Sequence, residues 1–261
     1  MASLEKYIRI DRLDKTYASP RGPVKALEGI TLDIAEHEFV SVLGPSGCGK
    51  STLLKCLAAL EGISGGSISI GGVPVAGPPD KMGIVFQRDV LLDWRTILDN
   101  VLITAEFRNL SRAQYEPRAM QLLKLFGLEE FANRFPWELS GGMRQRASIC
   151  RALLVDPELL LMDEPFGALD AMTRDELNLE LQRMWTENRK TVLFITHSIT
   201  EAVYLSDRVV MMSRNPGRIA EVITIDLPRP RALSVRETPE FGRYMAHIRG
   251  IFTDMGILKD G

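Results

Sequence analysis

The stretch Gly44-Pro45-Ser46-Gly47-Cys48-Gly49-Lys50-Ser51-Thr52 constrains this chain more than any other. It fits the phosphate-binding loop pattern of Gly, four free positions, Gly-Lys and Ser or Thr. Phe39-Val40-Ser41-Val42-Leu43 before it reads as a buried strand, and residues 51–57 after it read as the start of a helix. Strand, glycine-rich loop and helix in that order let the backbone wrap an anion, aim several N–H groups inward and add the positive end of a helix. In such a loop Lys50 is placed to reach β- and γ-phosphates and the Ser51 hydroxyl to hold Mg²⁺. Cys48, inside the loop, is expected to pack rather than to switch by oxidation.

The chain has 261 residues, 45% of them hydrophobic and 25% charged, with a net charge of −2. That balance describes a soluble globular protein, and the absence of a basic field argues against nucleic acid as a partner. No run of 18 apolar residues is present, and the N-terminal residues lack the apolar core of a secretory leader. Three cysteines, Cys48, Cys56 and Cys150, are odd in number and show no CxxC spacing, as expected of reduced thiols in a cytosolic protein.

Residues 6–43 alternate as β-structure, with a turn expected at Glu28-Gly29. Tyr17 falls between these strands; strand packing and stacking on a base are both open to it. After the first helix, residues 67–70 followed by Gly71-Gly72 signal an antiparallel hairpin, and residues 81–86 a buried strand ending at Gln87. Helical periodicity takes over from 88 to 135 and returns after Ser140-Gly141-Gly142. The apolar run 159–162 ends in Asp163-Glu164, and 191–196 ends at His197. Apolar strands alternating with helices imply a parallel sheet with helices packed on it. The tail is read as strand over 218–227, extended through Pro228-Arg229-Pro230-Arg231, then a helix capped by Thr238-Pro239.

Ligands of open parallel sheets sit beyond the C-terminal strand ends. Gln87, Asp163 and His197 are therefore expected to converge with Lys50 on one phosphate. Asp163 would bind Mg²⁺ directly or through water, and Glu164 would orient or deprotonate an attacking water. Gln87 would sense Mg²⁺ and that water, and His197 would donate to the γ-phosphate.

Leu139-Ser140-Gly141-Gly142, closed by Arg146, resembles the signature sequence of the ATP-binding cassette (ABC) family. The resemblance runs in family order from residue 7 to about 213. Tyr17 matches the adenine-stacking loop, Gly44 to Thr52 the Walker A motif, Gln87 the Q-loop, Leu159 to Glu164 Walker B, Ala168-Leu169-Asp170 the D-loop and His197 the switch histidine. It implies an α/β, P-loop NTPase fold of the ABC ATPase kind. That fold has a mostly parallel core sheet, an antiparallel β-subdomain and an inserted helical subdomain at about 88–155. The ATPase domain would cover 1–213 and a C-terminal extension 214–261. It implies ATP and Mg²⁺ as cofactors, with Ser51, Gln87 and Asp163 at the metal and Glu164, His197, Gln87 and Lys50 in catalysis. It also implies a head-to-tail dimer with a second copy or a homologous ATPase subunit. Ser140, Gly141 and Gly142 of one chain would then close the nucleotide held by the other, and Asp170 of the D-loop is counted among the nucleotide-binding residues.

Within the family, the stretch Leu91 to Val101, the run Pro165 to Asp170, and Pro216 to Ile219 with Asp226 to Arg231 resemble importers of nitrate, sulfonates and taurine. Asp93 stands where those proteins usually carry proline. The resemblance implies an integral membrane permease as partner, contacted by about Arg88 to Asn100, a solute-binding protein acting indirectly, and a peripheral place on the cytoplasmic face of the inner membrane. Trp94 would face the permease or fill the helical subdomain's own core. The tail arginines are expected to be solvated, with a regulatory anion site as the alternative. A soluble ABC ATPase acting on nucleic acid or ribosomes is the rival. The gap between Walker A and the signature is too short for the coiled coils of repair members, and one cassette stands where translation factors carry two. A small-molecule kinase would leave Leu139 to Gly142 unexplained.

Overall fold

A computed structural model describes residues 6–167 and 169–258. Two sheets organise it. The smaller is antiparallel and contains β1 (Lys6–Tyr17), β2 (Val24–Ala35), β4 (Gly65–Ile70) and β5 (Val73–Pro74) in the order β2-β1-β4-β5. The larger contains β3 (Phe39–Leu43), β6 (Met82–Val85), β7 (Leu159–Asp163), β8 (Thr191–Ile195), β9 (Arg208–Ser213) and β10 (Arg218–Thr224). Its order is β10-β9-β3-β8-β7-β6, parallel except for the β10 edge.

The central strands are apolar on both faces because both are covered. Val40, Val42, Leu159, Leu161, Leu193 and Ile195 face helix α1 (Lys50–Leu57) and the antiparallel sheet. Their neighbours Phe39, Leu43, Leu160, Met162, Val192 and Phe194 face the opposite core. That core takes in α4 (Gly141–Leu153), α5 (Ala171–Glu187), α6 (Ile199–Leu205) and α7 (Pro239–Asp254). A side-chain period of two on strands buried on both sides produces this split.

The chain reversal between β1 and β2 lies at residues 18–23, not at Glu28-Gly29. Gly29 instead sits inside β2 at φ +61°, in a bulge where its N–H donates to Asp14 Oδ1 at 2.8 Å. Glycine occupies that left-handed position without steric cost, so the strand bends and continues.

Within 88–135 the α-helices are α2 (Ile97–Phe107) and α3 (Arg112–Leu125), and residues 88–95 are irregular with one turn at 93–94. Fully buried Asn100 organises the turn before α2. Its side chain accepts from Leu92 N–H at 2.6 Å and donates to the carbonyls of Leu92, Arg95 and Thr96 at 3.0, 3.1 and 2.9 Å. Trp94, at the apex, is 74% exposed, so it does not fill the subdomain core.

The tail arginines overturn the expectation of a solvated basic surface. Arg231 is only 2% exposed. Its guanidinium donates to the carbonyls of Val203, Tyr204 and Ser206 at 3.0, 2.9 and 2.8 Å, and to Leu227 at 3.1 Å. It thereby caps α6 and pins the extension to it. Arg229 lies over the Trp185 ring at 4.2 Å and donates to Asp207 at 3.0 Å. The tail strand ends at Thr224, short of the expected 227.

Candidate functional site

Four neighbouring parallel strands, β3, β8, β7 and β6, deliver their C-terminal ends to one edge, since Val42 pairs with Ile195, Ile195 with Asp163 and Met162 with Val85. The phosphate loop leaves β3, His197 follows β8, Asp163-Glu164 closes β7 and Gln87 follows β6. Residues far apart in sequence thus meet in the place where α/β sheets hold ligands.

The loop's tight wrap is visible at Gly49, which begins α1 at φ +95°. A Cβ there would lie 2.6 Å from Leu27 Cδ2 and 2.9 Å from the Ala26 carbonyl, so a side chain is excluded by space as well as by backbone conformation. Cys48 is fully buried and its thiol is pushed up by burial, as a packing role requires. Lys50 is 6% exposed and folds back over the loop, donating to the Gly44 and Pro45 carbonyls at 2.8 and 3.2 Å. Tyr17 ends β1 beside the same helix, its hydroxyl donating to Thr52 Oγ1 at 3.5 Å and Lys15 Nζ lying 4.5 Å over its ring.

Ser51 Oγ donates to Asp163 Oδ1 at 3.1 Å. Burial raises the Asp163 carboxyl above its ordinary range, partly offset by that hydrogen bond. Glu164 follows at φ +46°, a left-handed conformation uncommon for a non-glycine residue and characteristic of functional turns. Its N–H donates to the Ile195 carbonyl at 2.9 Å. Its carboxylate gathers the two other strand-end residues: Gln87 Nε2 donates to Oε2 at 3.2 Å, and His197 Nδ1 lies 3.4 Å from the same oxygen.

Ser140, Gly141 and Gly142 are placed differently. Ser140 caps α4, its hydroxyl accepting from Met143 N–H at 3.3 Å. Among the described residues no hydrogen bond joins these three to residues 44–52. A Cβ on Gly142 would lie 3.0 Å from Leu169 Cδ2, so the signature turn packs on the segment before α5. Asp170 caps α5, and the Thr173 N–H that it accepts at 3.0 Å holds its carboxyl below the usual range. Ala168 lies outside the described residues.

Several polar side chains that the sequence pattern did not single out tie these pieces together. From α4, Arg144 donates to Asp89 at 2.9 Å, Arg151 to the Val90 and Asp89 carbonyls at 2.6 and 2.7 Å, and Gln145 to the Phe86 carbonyl at 3.2 Å. The helix that starts at Ser140 therefore grips both flanks of Gln87. One signal was available: Asp89 sits two residues after Gln87, and Arg144 lies within the signature run.

A phosphate loop on a parallel sheet, a carboxylate pair two strands away at the same sheet edge and a capped second glycine turn together define a cassette-type ATPase. Comparison with known proteins agrees. A family described as ABC transporter matches residues 27–167. The chain is 44% identical over 250 residues to the taurine import ATP-binding protein TauB of Rhizobium johnstonii, covering 94% of this chain and 95% of that one. It is 45% identical to the uncharacterized ABC transporter ATP-binding protein MJ0412 of Methanocaldococcus jannaschii, covering 95% and 91%. It is 44% identical to the bicarbonate transport ATP-binding protein CmpD of Synechocystis, covering 86% and 81%. Among solved structures, the bacterial ABC transporter cassette MJ0796, determined as a dimer, superposes with a TM-score of 0.77 at 33% identity, covering 85% of this chain and 100% of that chain. A second structure of that cassette, also dimeric, is in a post-hydrolysis state bound to ADP and phosphate. The chain belongs to the ABC transporter family as an ATP-binding cassette that hydrolyses ATP.

Proposed function

We propose that this ATPase powers an importer for a small solute of the nitrate, sulfonate, taurine or bicarbonate kind, working as a head-to-tail dimer on a separate membrane permease. The observation that carries the dimer is the pair of anion cradles in one chain. The 44–52 loop meets its own carboxylates, whereas Ser140 to Gly142 present a hydroxyl and N–H groups elsewhere. A second chain turned end for end brings its Ser140 turn over the first chain's nucleotide, and the γ-phosphate then bridges the two.

Each residue has a role in that arrangement. Tyr17 stacks on adenine, the loop amides and Lys50 hold the β- and γ-phosphates, and Ser140 to Gly142 and Asp170 of the partner complete the cradle. Glu164 orients the attacking water and accepts its proton as ADP leaves. Gln87 and His197, both already against Glu164, hold the water and the γ-phosphate. Ser51 and Asp163 fit Mg²⁺. They bring a hydroxyl and a carboxylate oxygen together, the hard donors that Mg²⁺ would take. Ser51, Asp163 and Gln87 would hold the ion, with substrate phosphates and water supplying its remaining oxygens. Mg²⁺ held there would neutralise phosphate charge as it develops during cleavage.

The permease contact is supported by apolar exposure around residues 86–107. Trp94 and Phe107 are 74% and 77% exposed, and Val90 is exposed as well. Val90 and Phe107 line a groove of about 320 Å³ together with Met82, Ile84, Phe86 and Ile103, and Trp94 stands exposed on the turn before α2. Exposed apolar rims of this kind mark protein contacts. No helix among the described residues is long and apolar enough to cross a membrane. The test is co-purification from detergent-solubilised native membranes. Wild type should bring down a stoichiometric multi-helix protein, and Trp94→Asp with Phe107→Asp should lose it while ATPase activity of the isolated chain persists. Recovery of the wild-type chain only with soluble partners would overturn the importer assignment and leave the ATPase standing.

A further inference from the structure

Between the segment that begins α5 and the histidine that follows β8 runs a buried line of polar contacts that the chemistry above leaves unused. Arg174, one turn into α5, donates from Nη2 to the Leu169 carbonyl at 3.0 Å and places Nε 3.5 Å from Glu201 Oε1. Glu201, in the first turn of α6, is 5% exposed, and its other oxygen accepts from the Thr196 hydroxyl. Thr196 is itself buried, and its Oγ1 accepts from the Ser198 N–H at 3.0 Å. Ser198 in turn accepts from the Glu201 N–H at 3.3 Å, closing the loop. His197 stands between Thr196 and Ser198. Its backbone is therefore clasped on both sides by one hydroxyl and that hydroxyl by one carboxylate, and the carboxylate is ion-paired, without a hydrogen bond, to an arginine whose Nη2 holds Leu169.

Two features mark this line as more than helix capping. Ser198 already supplies the side-chain cap of α6, so the cap does not need a buried acid. A carboxylate withdrawn from water beside a guanidinium that is only partly covered loses solvation that the attraction only partly returns, so an apolar residue in place of Glu201 would serve stability at least as well. Such a pair does specify one geometry. Leu169 is also the residue on which the Gly142 turn packs, so the arginine end of the line touches the segment that a dimer partner would meet.

We propose that Arg174 and Glu201 are positioning residues that lock the orientation of His197 to the conformation of Leu169-Asp170, so that seating the partner subunit sets the histidine for phosphate cleavage. This rests on the role given to His197 above. Glu201→Gln keeps shape and the Thr196 contact but removes the charge facing Arg174. Arg174→Gln breaks the line from its partly exposed end. Thr196→Val removes the hydroxyl isosterically, and Thr196→Ser keeps it.

The assay is steady-state ATP turnover of the full chain, with ATP affinity from calorimetry and folding from thermal melts. Glu201→Gln, Arg174→Gln and Thr196→Val should each lower kcat by about ten- to a hundredfold, the scale of small misplacements in an active site. KM and ATP affinity should stay within about twofold, and Thr196→Ser should retain wild-type turnover. In a His197→Ala background Glu201→Gln should cost nothing further, because both act on one group. Wild-type kcat in Glu201→Gln and Arg174→Gln, or losses that multiply with that of His197→Ala, would overturn the brace while leaving the histidine's role intact. Wild-type turnover by His197→Ala would overturn the histidine's role first, and the brace with it.

Discussion

Removal of the Arg231 guanidinium tests how the C-terminal extension is held. Its three shortest contacts run to Val203, Tyr204 and Ser206, carbonyls at the end of α6 that no further helical turn satisfies. All its acceptors are neutral, yet the donor is charged, and burial lowers its pKa only to about 10, so the charge stays at neutral pH. Arg231→Met keeps bulk and strips the donors. Each buried carbonyl left bare costs about 1–3 kcal/mol. Three of them, with some relief from entering water, come to about 3–5 kcal/mol, a large part of a typical total of about 5–15. With a urea slope of about 3 kcal/mol per M, the unfolding midpoint should fall by about 1–1.7 M. Arg231→Lys, one point charge in place of a planar fork, should fall in between. Unfolding followed by far-UV circular dichroism in urea measures this directly. A midpoint for Arg231→Met within about 0.3 M of wild type would refute the capping account and mean that these carbonyls hydrate freely.

Three further outcomes follow from the site. Glu164→Gln preserves the contacts of Gln87 and His197 and should bind ATP while losing at least about a hundredfold in turnover, accumulating an ATP-bound dimer by light scattering; a monomer only would contradict the shared site. Ser140→Arg should leave calorimetric ATP binding nearly intact, cost about 1 kcal/mol of α4 capping and abolish hydrolysis, whereas undiminished ATPase would sink the second cradle. Asp163 has its folded pKa raised by burial, so its ionised form opposes folding, and that cost grows as pH rises past the ordinary carboxylate range. Asp163→Asn should therefore melt higher than wild type at pH 7, lose that advantage below about pH 4, and lose Mg²⁺-dependent turnover; a lower melting temperature at pH 7 would show the carboxylate to be stabilising.

The residues of the candidate site were legible in the sequence because phosphate chemistry dictates them locally. A backbone that must wrap an anion needs Gly47 and Gly49 next to Lys50-Ser51, and a carboxylate pair at a buried strand's end shows as an apolar run broken by Asp163-Glu164. The parallel class of the sheet was legible too, since Leu159 to Met162 and Val192 to Ile195 carry no polar face. Only the tertiary structure decided the strand order β3-β8-β7-β6, which brings Gln87 and His197 to Glu164. It also decided which charges are solvated. Arg231 reads like any tail arginine until α6 supplies bare carbonyls above it, and Glu201 reads as a surface acid until Thr196 and Arg174 close around it. Local spacing records the periodicity of one element and the chemistry of one loop. A buried polar partner is set by the packing of elements distant in the chain, and no spacing along the sequence carries that information.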